Sequence, residues 1–484
     1  MKFKPLFLFF ALLGASLGLQ ACSTNPATGK QQFTALMSPQ QENKVGASEH
    51  ENIVAQYGLY DNAAISRYVS RVGARVTAKT ERPDVKYQFF VLDSPIVNAF
   101  ALPGGYIYIS RGLLALANSE AQMAAVLSHE AGHVTGRHTA ERYSRSVVTS
   151  LGTGILGAVI GSAGASQALG LGANLYLSSY SRGQESEADS LGLRYMTQGG
   201  YDPDEMTAFL SSMSANSNLE SRLQGKSGAG GGNYFSTHPA TADRVAASNA
   251  QAKNYPQNGT VNRDGYLQAI NGMTYGDSEK QGFVRDQSFY HPGLGFTFTV
   301  PKGFNISNQP NQVAAIDNAS GSVIVYDMDA RQNGMSAQNY LTQIWMKDKP
   351  VQAERITING MNAATAGFSG SVNNKPMTIR VIAIEFKPNT FARFMVGVPN
   401  GASQSLVDAL KTATYSFRPM SAAEKQNLKP YRLRLVTAQS GDTIASLARR
   451  MPFTTLQEDR FRVLNGLLPN EALVTGRQYK TVGY

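Results

Sequence analysis

Three of the chain's six histidines fall within ten residues, in the stretch VLSHEAGHVTGRHTAERYS at 126–144. His129 and His133 are four residues apart, and an α-helix puts that spacing on one face. Two imidazoles so placed can bind one zinc ion in tetrahedral N/O geometry. Glu130 adjoins the first of them. A bound zinc ion would lower the pKa of its water towards neutrality, and Glu130 is placed to take that proton. This is the logic of an H-E-x-x-H zinc peptidase. No proline interrupts residues 119–144, so one continuous helix is expected, starting at Ser119 with Gln122 in capping-box spacing. On such a helix His138 lies about 180° from His129 and faces away from the ion. It is assigned to structure or to a contact behind the ligands.

The third ligand must come from elsewhere. SRGQESEADSLGLRYM at 181–196 offers Glu185, Glu187 and Asp189. Glu185 and Asp189 share a helix face with Ala188, Gly192, Tyr195 and Met196, which is largely apolar and should point inward. Glu187 sits about 200° round from Glu185, with Leu191 and Arg194. Glu185 is therefore the expected ligand. Asp189, one turn on, is expected to accept the free N–H of a ligating histidine and fix its tautomer. The His/His/Glu set favours zinc, one ion per chain. His238, in STHPATADR, follows the Gly-rich stretch QGKSGAGGGN at 224–233. It is expected near the site, either donating to the oxyanion of the reaction or taking the ion's open position and holding the enzyme latent. Arg244 is expected to anchor that segment through a carboxylate. His50 and His291 have no such companions and are assigned to structure.

These residues need a scaffold. Residues 38–252 read as mostly helical, interrupted by the strand-like KYQFFVLDSPIVNAFALPGGYIYISRGLL. GGYIYIS alternates as an edge strand should, so an extended peptide could pair with it, with Asn98 and Ala99 lining the cleft. A plain core strand is the other reading. No charged residue lies between Arg145 and Arg182. That stretch is long enough to span a bilayer, yet it is rich in Gly, Ala and Ser. Both ligand helices flank it and must meet, which excludes a single crossing. A helical hairpin, a lid over the cleft and two spans remain open.

Residues 280–420 change character. FTFTV, SVIVYDM, MTIRVIAIEF and FARFMVGV read as strands, KPNT as a hairpin turn and SQSLVDALKTA as a closing helix. A small α+β domain is expected, similar to the Mog1/PsbP fold. Residues 430–484 resemble a LysM module, through Gly441, Asp442, Thr443, Asn465 and Gly476. Glycan binding and a structural cap with a basic face are both open.

The first residues, MKFKPLFLFFALLGASLGLQAC, read as an export signal over 1–21. Its end resembles a bacterial lipobox, which implies lipidation of Cys22, and Ser23 then favours the outer membrane. Residues 22–37 read as a polar tether. With one cysteine no internal disulfide is possible. The net charge of +10 suggests an anionic neighbour, and no nucleic-acid signature accompanies it.

His129-Glu130-Ala131-Gly132-His133 followed by Glu185-x-x-Ala188-Asp189, together with NAFALPGGYIYISRGLL and STHPATADR, resembles the gluzincin metalloprotease family of HtpX, BepA and the CAAX prenyl endopeptidases. The resemblance covers residues 38–252. It implies a zinc endopeptidase with His129, His133 and Glu185 as ligands, Glu130 as general base, and misfolded or unfolded envelope proteins as clients. The expected fold is multidomain: a mainly α zincin-type (α+β) protease domain, a small α+β domain and a small LysM-like domain. The expected protein is lipid-anchored in the periplasm, close to peptidoglycan or the outer-membrane assembly machinery. An envelope chaperone or a cell-wall-binding scaffold with a latent or structural zinc site is the alternative.

Overall fold

The computed structural model describes residues 22–152, 179–223, 238, 242–309, 311–331, 334–372 and 375–484. The expected export signal and most of the uncharged stretch lie outside the described residues. Among the described residues no helix is long and apolar enough to cross a membrane. The chain divides into two units, one running to Gly276 and including Tyr431–Gly483, the other Asp277–Pro430.

In the first unit, β1 (Cys22–Thr24) and β2 (Gln31–Phe33) pair antiparallel. The expected tether at 22–37 is thus a folded hairpin. Helices α1 (Pro39–Tyr57) and α2 (Ala63–Thr77) follow, the first opened by a Ser38–Gln41 capping box. Three strands come next: β3 (Gln88–Leu92), β4 (Ala99–Leu102) and β5 (Tyr106–Ser110). Their order is β3-β5-β4, with β5 parallel to β3 and antiparallel to β4. The strand in GGYIYIS is therefore central, which corrects the edge-strand expectation. β3 and β4 are the edges, and every residue of β4 is buried.

The remaining helices of this unit carry the chemistry. They are α3 (Arg111–Leu116), α4 (Glu120–Thr135), α5 (His138–Gly152), α6 (Arg182–Gln198), α7 (Asp204–Leu223) and α8 (Ala242–Ala252). The continuous helix expected through Ser144 is broken. Arg137 has φ of 52°, in the left-handed region, and a new helix starts at His138. Side-chain bonds offset the backbone strain. The Arg137 guanidinium donates to Glu42, Thr34 and the carbonyl of Met37, so the break is fixed by α1 and the residues after β2. Every residue of α4 is buried, as a central helix must be.

The C-terminal segment forms a strand, two helices and a strand: Tyr431–Thr437, Ile444–Ala448, Gln457–Leu464 and Gln478–Gly483. Thr443 caps the first of these helices, and Gly476 turns into the last strand with φ of 85°. Asn465 accepts from the N–H of Lys480 and donates to its carbonyl. An independent domain at 430–484 was expected. Instead the segment shares one apolar core with α2, α4, α6 and α7, through Leu433, Leu447, Phe461 and Tyr479. Lys480 shows why the sequence misleads. It reads as part of a basic face but is fully buried, and its ammonium donates to the carbonyls of Ala115, Leu116 and Ala117 at 2.6, 3.2 and 2.7 Å. These are the open carbonyls at the end of α3. Lys480→Met should lower the unfolding free energy of this unit by about 3 kcal/mol, measured by denaturant titration. An unchanged midpoint would mean the C-terminal segment folds apart from the protease helices.

The second unit is sheet-rich. Seven antiparallel strands run in the order Asn305–Gln309, Gln312–Ile316, Val323–Ala330, Thr390–Pro399, Lys375–Lys387, Met361–Val372, Glu354–Ile358. A four-stranded sheet and the helix Gln404–Tyr415 complete it. The four strands read from sequence are present, as are the Lys387–Thr390 turn and the closing helix. The core is aromatic, with Phe289, Phe296, Phe298, Tyr326, Phe394 and Phe417 in contact.

Candidate metal centre

Two helices must approach closely for their ligands to meet. Gly132 on α4 and Gly192 on α6 permit this. A Cβ on Gly132 would come within 3.0 Å of the Ala188 carbonyl oxygen, and one on Gly192 within 3.1 Å of the His129 backbone nitrogen. The ligand helix α6 starts with a Ser181–Gln184 capping box, which fixes where Glu185 emerges.

The close approach brings His129, His133, Glu185 and His238 together, with one potential ligand atom from each inside 4.8 Å of all the others. His129 Nε2 and His133 Nε2 are 3.0 Å apart, and Glu185 Oε1 is 3.4 Å from His133 Nε2. His238 Nδ1 lies 2.9 Å from Glu185 Oε1 and 3.3 Å from His129 Nε2. Glu130 stands beside them, with Oε1 3.5 Å from His238 Nε2. Both its carboxylate oxygens are buried, and neither accepts a hydrogen bond among the described residues. Buried polar groups are normally paired, so a wholly buried carboxylate without donors marks a functional site. Three imidazoles and a carboxylate converging in one buried spot suit a divalent ion, and the N/O set fits zinc.

Electrostatics agree with those roles for Glu130, Glu185 and His133, whereas at His129 the burial that would lower it is outweighed by Asp189, Glu185 and Glu130, which raise it. Burial pushes the Glu130 carboxyl up, with His238 and His129 offsetting only part of it. Burial would also raise Glu185, but His238, His133 and His129 outweigh it and hold the carboxyl well below the usual range. Burial pushes His133 well down, which keeps it neutral and its lone pair available.

A second layer orients the donors. Asp189 Oδ1 is 2.9 Å from His129 Nδ1. Arg244 grips Asp189 through two hydrogen bonds of 2.8 Å and reaches Glu185 Oε2 at 2.7 Å. Arg244 thus anchors the His238 segment, as the sequence suggested. Glu187 lies on the other side of α6, near His138, Asn25 and Lys30. His138 does not face away from the ligands. The helix break sets its Nδ1 2.9 Å from His133 Nδ1. Asn98 leads into β4, its backbone bonded to Ser110, and Ala99 begins that edge strand. His50 bonds the Tyr108 hydroxyl in an aromatic cluster with Phe90 and Tyr106, and His291 accepts from the Leu294 N–H in the second unit.

Tyr180 is the residue that sequence reasoning missed. Its ring stacks on His133 with centroids 3.8 Å apart, and its hydroxyl bonds Thr139. A lone tyrosine ahead of a helix cap gives no periodic signal, so nothing in the sequence pointed to it.

Comparison with known proteins agrees with this geometry. Residues 63–252 match Peptidase family M48. The mitochondrial metalloendopeptidase OMA1 of Schizosaccharomyces pombe is 31% identical over 207 residues, covering 42% of this chain and 59% of that protein. The β-barrel assembly-enhancing protease of Yersinia pestis is 25% identical over 371 residues, 69% of this chain and 72% of that protein. The Escherichia coli K12 protein of the same name is 28% identical over 203 residues, 40% of each chain. The chain therefore spans 40 to 72% of the length of these three relatives. Residues 63–252, with their buried His129-Glu130-x-x-His133 helix joined to Glu185, are a peptidase family M48 domain, of the HtpX- and BepA-like metalloprotease family.

Proposed function

We propose that the chain is a lipid-anchored periplasmic zinc endopeptidase that cleaves misfolded or unfolded envelope proteins. One observation carries the reading: beside His129, His133 and Glu185 stands a buried Glu130 that accepts no hydrogen bond among the described residues. His129, His133 and Glu185 would hold a zinc ion, which when bound would supply Lewis acidity to the scissile carbonyl and to the attacking water. Glu130 takes the proton of that water and passes it to the leaving amine. Asp189 keeps the Nδ1–H of His129 engaged, so that its Nε2 faces the ion. Strand β4 stands at one edge of the three-stranded sheet with its residues buried, so an extended client segment pairs with it only once that edge is uncovered, and only an unfolded client can present such a segment.

The names of the relatives support a role in β-barrel assembly. Cys22 as lipid attachment and the C-terminal segment as a peptidoglycan contact belong to the same proposal. A second reading, an envelope chaperone or scaffold with a latent site, is favoured by His238 standing among the donor atoms. Metal removal separates the two. Cleavage of an unfolded envelope protein by the full chain should fall at least ~100-fold in chelator and return with stoichiometric zinc. Undiminished cleavage in chelator would refute the peptidase reading, and zinc binding without any turnover would favour the scaffold.

A further inference from the structure

We infer that the β1–β2 hairpin is a positioning element of the metal centre, acting through Glu187 and His138 on His133. This rests on the reading of His133 as a metal ligand. The two ligand histidines are held differently. His129 meets a carboxylate directly, whereas His133 meets another imidazole, His138, at 2.9 Å between Nδ1 atoms.

The protons along this chain are determined one after another. As a metal ligand His133 would offer Nε2, the nitrogen that converges with Glu185 Oε1 and His129 Nε2, so in that role Nε2 carries the lone pair and Nδ1 the hydrogen. His138 Nδ1 must then accept. Its own hydrogen is left on Nε2, which faces Glu187 Oε1 at 3.4 Å. Glu187 as a carboxylate can only accept, so it selects that tautomer. The same oxygen accepts from the Asn25 amide. The amide cannot turn round, because its Oδ1 already accepts from the N–H groups of Ala27 and Thr28 at 2.9 and 3.3 Å. Asn25 is buried, and Lys30 adds an ion pair to Glu187 at 3.7 Å. The hairpin thus enforces, three side chains away, which nitrogen of His133 faces the ion. It begins at Cys22, the proposed point of lipid attachment.

The test is zinc affinity of the full chain in detergent, by competition with a chelating dye, for wild type, His133→Ala, His138→Leu, His138→Asn and Asn25→Ala. Partners behind a metal ligand typically contribute about 10–100-fold in affinity. His138→Leu should lose that amount, and Asn25→Ala should lose on the order of tenfold through the same route. In His138→Asn the side-chain carbonyl replaces the Nδ1 acceptor, so affinity should stay within roughly threefold of wild type. Melting curves should show all the zinc-free proteins folded at the assay temperature, so that lost affinity reports the site and its return in His138→Asn the acceptor at that position. If His138→Leu misfolds, Asn25→Ala decides, since it leaves His133, His138 and Glu187 in place. Wild-type affinity in Asn25→Ala, or equal loss in both His138 variants, overturns the proposal. Wild-type affinity in His133→Ala would instead refute His133 as a ligand.

Discussion

Glu130→Gln is expected to abolish peptidase activity while leaving the fold and the zinc intact. General-base catalysis contributes about 10²–10⁴ in rate, and here one group handles the proton in both attack and departure, so kcat should fall by ~10³ or more. The substitution is isosteric. Because neither Glu130 oxygen accepts a hydrogen bond among the described residues, the amide breaks no network. Replacing a buried carboxyl that burial already disfavours as an anion should hold or slightly raise the melting temperature. Zinc content, melting temperature and cleavage of an unfolded protein, measured side by side, check this. Loss of cleavage with zinc and fold retained assigns the base. Equal cleavage by both proteins would mean that another group moves the proton.

What made this site legible was periodicity. The i, i+4 spacing of His129 and His133, and of Glu185 and Asp189, placed each pair on one face, and the apolar company of Glu185 turned that face inward. The strands of the second unit were equally plain, because alternation over strand length matches a half-buried strand and not the 3.6-residue period of a helix. Relationships across the fold were not legible. Alternation in GGYIYIS says nothing of which strands flank it, and β5 proved to be central. Gly136, the cap of α4, was the one local sign of the break, while the bonds that hold Arg137 reach Thr34, Met37 and Glu42 about a hundred residues away in sequence. Lys480 and the polar run after Cys22 read as solvated, yet Lys480 ends helix α3 and Asn25 lies buried beside Glu187. Composition reports average exposure, and it fails where a polar side chain is buried with its partners.

His238→Ala is expected to raise basal cleavage. The two roles open to His238 predict opposite signs, and the expectation of an increase rests on its position. A donor to the oxyanion would stand beyond the ligand set, aimed at the substrate. Instead Nδ1 lies among the donor atoms, 2.9 Å from Glu185 Oε1 and 3.3 Å from His129 Nε2, and Nε2 approaches Glu130 to 3.5 Å. The ring therefore fills the space between Glu185 and the base, where water and a scissile carbonyl must enter. Cleavage then requires the His238 ring to leave this position, and basal activity is scaled by the fraction of molecules in which it has done so. A minor state about 1–10% populated gives a 10–100-fold increase when the histidine is removed. Zinc affinity should fall at the same time, since one donor is gone. Arg244→Ala should move activity in the same direction at first, because it frees the His238 segment, but it also releases Asp189 from its clamp and weakens the hold on His129. Initial rates with zinc in excess separate those two effects. A fall of about 10²–10³-fold in His238→Ala, the loss typical of an oxyanion donor, would assign His238 to catalysis and leave the resting state to be set by another group.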